Sequence, residues 1–152
     1  MSKSKYLQDV WPLSTCFGCG PACEDGMQIK SKWSDDGNSV VADYTADKKF
    51  NAGFPEVMYG GTVASLIDCH SIWTAIAFNY KKENRDVGSE PALPFVTGTL
   101  TVKYYLPTPL GKPVQLKAWV EGEVGRKTRV ICELSSDGVV TAKGDVLAVM
   151  MV

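Results

Sequence analysis

The chain has 152 residues, 45% of them hydrophobic and 22% charged, with 14 Gly and 8 Pro spread along its length. That is the composition of one globular domain able to bury a core, and it excludes a disordered tail or a collagen-like fibre. Sixteen Lys and Arg against seventeen Asp and Glu leave a net charge of −1, so no global field attracts a nucleic-acid backbone.

Residues 1–26 read as an arm that ends in turn chemistry, Cys-Gly-Pro and then Glu-Asp-Gly. Its first residues contain no apolar h-region, and with no secretory signal visible the expected location is cytoplasmic. Cys16, Cys19 and Cys23 cluster in this arm, while Cys69 and Cys132 lie far along the chain in apolar surroundings. An odd number of cysteines in such a chain fits free thiols in a reducing compartment. Cys16 and Cys19 have C-x-x-C spacing, but a structural zinc site asks for a second pair or a nearby His. A redox motif of that spacing sits where a strand leads into a helix. Neither condition is met in the sequence, so the expectation is a turn of small buried thiols and no metal.

Residues 27–33 alternate apolar and polar, as a half-buried strand does. A hairpin signal at residues 35–38 leads into a returning strand at 40–44. After a loop containing Asn51, Gly53 and Pro55 comes a long Ala-rich run over residues 61–82. Its apolar positions are dense nearly all round, the pattern of a helix buried on most sides. Lys81 and Lys82 stand near its end, where cations complement the helix dipole. Asp68 and His70 interrupt the run, which is too short and too polar to span a bilayer, so no membrane partner is expected.

A polar loop with Gly88, Pro91 and Pro94 precedes strand-like segments at 95–106, 114–124, 128–134 and 139–152, with Asp137-Gly138 as a strong hairpin signal. The expected class is α+β, one long central helix wrapped by an antiparallel sheet of about six strands. Residues 27–152 form the domain and 1–26 its arm.

The chemistry centres on Tyr59, Gly60 and Gly61. A Gly pair at the start of a helix frees backbone N–H groups at the positive end of the dipole and removes the Cβ atoms that would keep a ligand away. That suits an oxyanion, such as the one that develops when a thioester carbonyl is attacked. Asp68, about two turns further on, is a carboxylate in an apolar helix, costly unless hydrogen-bonded, facing a cleft or functional.

The strings CFGCGP at residues 16–21, GMQI at 26–29 and YGGTVASLID at 59–68, with VKYYLP at 102–107 and GRKT at 125–128, resemble the hot-dog-fold acyl-CoA thioesterases of the phenylacetate-pathway type. The resemblance implies a homodimer or homotetramer with each active site built between two subunits around the N-termini of the central helices. It implies Asp68 as the catalytic carboxylate, attacking the thioester or activating water. It implies the N–H of Gly60, with Gly61 beside it, as the group polarising the thioester carbonyl, and Thr97 as a residue that helps hold the water. Arg126 and Lys127 would meet the phosphates of coenzyme A, which is part of the substrate, so no separate cofactor is expected. Relatives usually carry His or Asn where this chain has Tyr59, whose hydroxyl donates hydrogen bonds but is a poor base. Asn51 is a candidate for the missing amide, and Phe54, Trp73 and Tyr104 for an acyl pocket.

His70, the only histidine, lies two residues from Asp68, about 200° around the helix. The two cannot share a site within one subunit, so His70 is read as a satisfied core or interface histidine. A non-catalytic acyl-CoA or lipid-binding protein with the same fold, and a purely structural dimer, are the alternatives to a thioesterase.

Overall fold

The computed structural model describes residues 5–151. A short 3-10 helix (Leu7–Val10) precedes strands β1 (Lys32–Trp33) and β2 (Val40–Tyr44), helix α1 (Gly60–Lys82), and strands β3 (Phe95–Tyr104), β4 (Val114–Glu121), β5 (Lys127–Ser136) and β6 (Val139–Met150). The strands form one antiparallel sheet in the order β1-β2-β4-β5-β6-β3, and α1 packs across its inner face. This is the expected α+β hot-dog architecture, with the sheet open rather than closed.

The helix is apolar nearly all round because the sheet is not its only neighbour. Val63, Leu66, Ile67, Ile76 and Tyr80 are almost fully buried, each such side chain contributing about 1.5–3 kcal/mol relative to exposure. The inner face of β6 is lined with small residues, so α1 comes very close. A Cβ on Gly144 would lie 2.2 Å from Cγ2 of Ile67. At the β5–β6 hairpin, Asp137 and Gly138 both have positive φ, 51° and 79°, as a two-residue type I′ turn requires.

The strand expected at 27–33 is mostly something else. Only Lys32 and Trp33 pair with β2, although Met27, Ile29 and Ser31 are buried as the alternation demands. Gln28 has φ 59°, and the amides of Met27 and Ile29 donate to the carbonyls of Phe17 and Gly18 at 2.8 and 3.0 Å. The arm therefore takes the backbone hydrogen bonds that a longer β1 would have given to a neighbouring strand. Gln8, fully buried, continues this attachment by donating to Ser31 Oγ at 3.0 Å and accepting from the Ser31 amide at 2.7 Å.

Cys69 is not an isolated thiol in apolar surroundings. The arm folds back onto α1 and brings Cys16 Sγ to 3.8 Å from Cys69 Sγ. Cys19 lies in the same cluster and accepts a hydrogen bond from Trp73 Nε1 at 3.3 Å. The Cys69 thiol beside it, opposed by burial and helped by Trp73, pushes Cys19 down to about 6. Cys132, alone under the sheet, is pushed up to about 12 by desolvation.

Candidate functional site

The first turn of α1 is left open at its end. Tyr59, the N-cap residue, is extended (φ −56°, ψ 131°), and its carbonyl accepts the amides of Thr62 and Val63 at 3.0 and 3.2 Å. Its side chain makes no capping hydrogen bond, and no acidic residue occupies the first turn. Among the described residues, no acceptor meets the amides of Gly60 and Gly61. Two N–H donors thus remain at the positive end of the helix dipole.

Two tyrosines frame these glycines. Tyr104 Oη, from the end of β3, donates to the Gly60 carbonyl at 2.6 Å. The Tyr59 ring folds back over Gly61, where a Cβ would lie only 2.5 Å from its Cε2 atom. Glycine at 61 is what lets that ring settle on the first turn. Burial raises the Tyr104 phenol above its ordinary value, with Tyr59 adding to the effect, so it acts as a neutral donor.

Asp68 is half-buried on α1, and Thr97 Oγ1 on β3 donates to its Oδ1 at 2.5 Å. No described group donates to its second oxygen. Seven residues separate Gly61 from Asp68, roughly two turns, which places them on one helix face about 10 Å apart.

Thr97 and Tyr104 have opposite parity along β3, so in a regular strand they would point to opposite faces. Both nevertheless reach α1. The register with β6 shifts between Thr97 (opposite Ala148) and Thr99 (opposite Leu147), leaving Gly98 as an inserted residue. This bulge reverses the alternation. A Cβ on Gly98 would come within 2.8 Å of Val149 Cγ2 and 3.2 Å of the Leu147 carbonyl oxygen. Sequence reading missed the bulge and the Tyr104 clamp. The one signal was a glycine inside an otherwise regular strand pattern.

The other candidates fall elsewhere. Arg126 and Lys127 are exposed at the β4–β5 connection, and Lys127 lies across from Val149, which in turn faces Val96. They are therefore at the same end of the sheet as Thr97, about 10 Å across it. Lys127 alternates with the buried Thr128, which puts its side chain on the outer face. Asn51 is not available as a stand-in for His. Its Nδ2 donates to the Lys48 carbonyl and its Oδ1 accepts from the Gly53 amide, both at 3.0 Å. Phe54 is exposed in the loop before α1. Trp73 belongs to the core under the arm, tilted against Trp11 at 5.0 Å between ring centroids, and is no part of an acyl pocket.

His70 is the core residue expected. Its Nε2 faces the Val40 carbonyl at 2.9 Å and its Nδ1 faces Ser31 Oγ at 2.8 Å. A carbonyl can only accept, so Nε2 carries the proton and Nδ1 accepts from the serine. Burial pushes the ring down to about 4. A shallow depression of about 480 Å³ lies on the outer face of the sheet among Thr101, Lys103, Arg129 and Asp145. It has no access to Asp68, whose Thr97 partner is on the inner face.

A thioesterase superfamily protein from Shewanella loihica PV-4 has the same fold at a TM-score of 0.67, with 31% identity over 82% of this chain and 91% of that one. This chain belongs to the thioesterase superfamily. The superfamily fold also appears in the E. coli PaaI protein from the phenylacetic acid degradation operon, with TM-score 0.65 and 17% identity over 86% of this chain and 85% of that one. A hypothetical thioesterase from Streptococcus pneumoniae TIGR4, solved with coenzyme A, aligns at TM-score 0.62 with 15% identity over 81% and 85% of the two chains. No family model and no curated protein matches this superfamily member. Among its described residues, no helix is long and apolar enough to cross a membrane.

Proposed function

We propose that this protein hydrolyses an acyl-coenzyme A thioester to the free acid and coenzyme A, with Asp68 as the reacting carboxylate. The observation that carries the proposal is the Thr97–Asp68 hydrogen bond of 2.5 Å, which fixes one carboxylate oxygen and leaves the other open. Asp68 either attacks the thioester carbon or takes the proton of an attacking water, and both roles need that second oxygen. The N–H groups of Gly60 and Gly61 receive the negative charge that grows on the carbonyl oxygen. The solved relative carrying coenzyme A supports this substrate class.

The spacing within α1 argues that one chain is not a complete site. A thioester carbonyl held at Gly60 is about 12 Å along the helix from Asp68 of the same chain, far beyond the roughly 3–3.5 Å separation of reacting atoms. A second copy supplies the missing half, so that Asp68 of one subunit faces the helix N-terminus of the other. β3 is the edge of the sheet, with Val96 and Tyr104 about half-exposed, and its outer edge is open to a partner strand. Tyr59 and Tyr104, both about half-exposed and set against Gly61 and Gly60, offer apolar ring surface at the helix N-terminus that suits a hydrophobic acyl group. Arg126 and Lys127 are proposed to meet the phosphates of coenzyme A.

Thiol release from short, long and aromatic acyl-coenzyme A substrates tests the proposal, with wild type beside Asp68→Asn. Activity lost in a folded variant supports it. A non-catalytic acyl-CoA binder instead predicts saturable binding with no turnover on any substrate, and Tyr59 in place of a more polar residue is the feature that favours this second reading.

A further inference from the structure

The arm and the central helix meet at three thiols. Cys16 and Cys19 come from the loop before Gly20, and Cys69 comes from the middle of α1. Their sulfur atoms all lie within 4.8 Å of one another, and Cys16 and Cys69 are 3.8 Å apart. Four thiolates around Zn²⁺ at about 2.3 Å have an edge of about 3.8 Å between sulfurs. The thiols are therefore already spaced as ligands sharing one small soft cation.

The surrounding chain is shaped to hold them there. A Cβ on Gly18 would sit 2.3 Å from Cys69 Sγ, so glycine is what allows the loop to close over the helix thiol. Trp73 Nε1 donates to Cys19 Sγ, a hydrogen bond that favours a negatively charged sulfur. Cys23 is outside the cluster, its carbonyl oxygen accepting from Gln28 Nε2. The sequence motif alone offers two ligands, and the fold supplies the third from 50 residues away.

We propose that Cys16, Cys19 and Cys69 form a binding site for a soft d¹⁰ cation, Zn²⁺ in the first instance, which fastens the N-terminal arm to the central helix. Three thiolates leave a fourth tetrahedral position, and Cys16 is exposed, so a water completes the coordination on that side. Binding releases the thiol protons without any change of oxidation state. A disulfide between Cys16 and Cys69 uses two of the three sulfurs and gives the third no role.

The experiment is titration of the reduced full chain with Co²⁺ in a non-chelating reductant, followed by displacement with Zn²⁺. The expected result is one equivalent per chain, a thiolate-to-cobalt charge-transfer absorption and the d–d bands of a tetrahedral ion. Both are lost or weakened at least about tenfold in Cys69→Ser and in Cys16→Ser, and both are kept in Cys23→Ser. Cys16 is exposed, so its serine variant keeps the fold even if Cys69→Ser does not. Zn²⁺ raises the melting temperature of wild type and leaves that of Cys16→Ser unchanged. Absence of cobalt absorption in the reduced chain, or absorption that survives Cys16→Ser, overturns the proposal. So does a reduced chain that binds no metal and readily forms a Cys16–Cys69 disulfide.

Discussion

Thr97 Oγ1 donates to Asp68 Oδ1 at 2.5 Å, joining the edge strand of the sheet to the middle of the central helix. In the proposed mechanism Thr97 acts through Asp68, as a positioning residue. A hydrogen bond to a charged group is worth about 1.5–3 kcal/mol, enough for a tenfold effect if it is needed in the transition state. Thr97→Val is expected to lower kcat about tenfold or more with KM little changed, and Thr97→Ser to restore most of it. Equal losses in both variants would point to strand packing instead.

The two halves of the proposed site can be separated genetically. Gly60→Pro removes one N–H at the first helical position, where proline is tolerated, and the extended Tyr59 before it suits a following proline. A Cβ there meets only ordinary contact with Tyr104 at 3.6 Å. The variant is expected to fold and to lose about 10²–10³ in kcat. Mixed with Asp68→Asn under subunit exchange, it forms heterodimers with one intact site, so activity returns. Two inactive variants that stay inactive after demonstrated exchange contradict a site shared between subunits.

The bulge at Gly98 is what lets Thr97 and Tyr104 serve the same helix. Gly98→Val forces a Cβ into Val149 and the Leu147 carbonyl, at a cost of about 1–3 kcal/mol. The expected outcome is a lower melting temperature together with loss of activity larger than that of Thr97→Val, because both contacts move. Wild-type activity in Gly98→Val removes the bulge from the account.

Acid stability follows from His70. The ring is neutral in the fold, held down to about 4 by burial against an ordinary 6.5. A base whose folded value is depressed binds more protons when unfolded, so stability is full above about 6.5 and falls as pH drops toward about 4. The loss reaches about 2 kcal/mol by pH 5 and about 3 kcal/mol below pH 4. Urea unfolding at pH 7.5 and pH 5 checks this. His70→Gln is less stable at pH 7.5 and has a flatter pH dependence, whereas parallel pH dependences would show that the ring does not titrate on unfolding.

Much of this architecture is legible in the sequence because its signals are local. The helix over 61–82, the Asp137-Gly138 hairpin and the fold class come from periodicity and turn chemistry, and α1 indeed spans Gly60–Lys82. The resemblance to thioesterases points to Gly60 and Asp68, which the fold sets about two turns apart on α1. What stayed hidden depends on contacts between distant segments. Residues 27–31 have the alternation of a strand but spend their amides on the arm. Cys69 looks isolated until the arm folds over α1. Asn51 offers the right functional group, yet its own loop consumes both ends of the amide. Trp73 is an aromatic on the right helix, buried under Trp11 instead of lining a pocket.

The measurement that bears most directly on the central claim is steady-state thiol release by wild type and Asp68→Asn across the acyl-coenzyme A panel, with binding of a non-hydrolysable analogue measured on both. Turnover by wild type, a fall of about 10²–10⁴ in kcat for Asp68→Asn and nearly unchanged analogue binding are expected. Undiminished hydrolysis by a folded Asp68→Asn protein would contradict that claim.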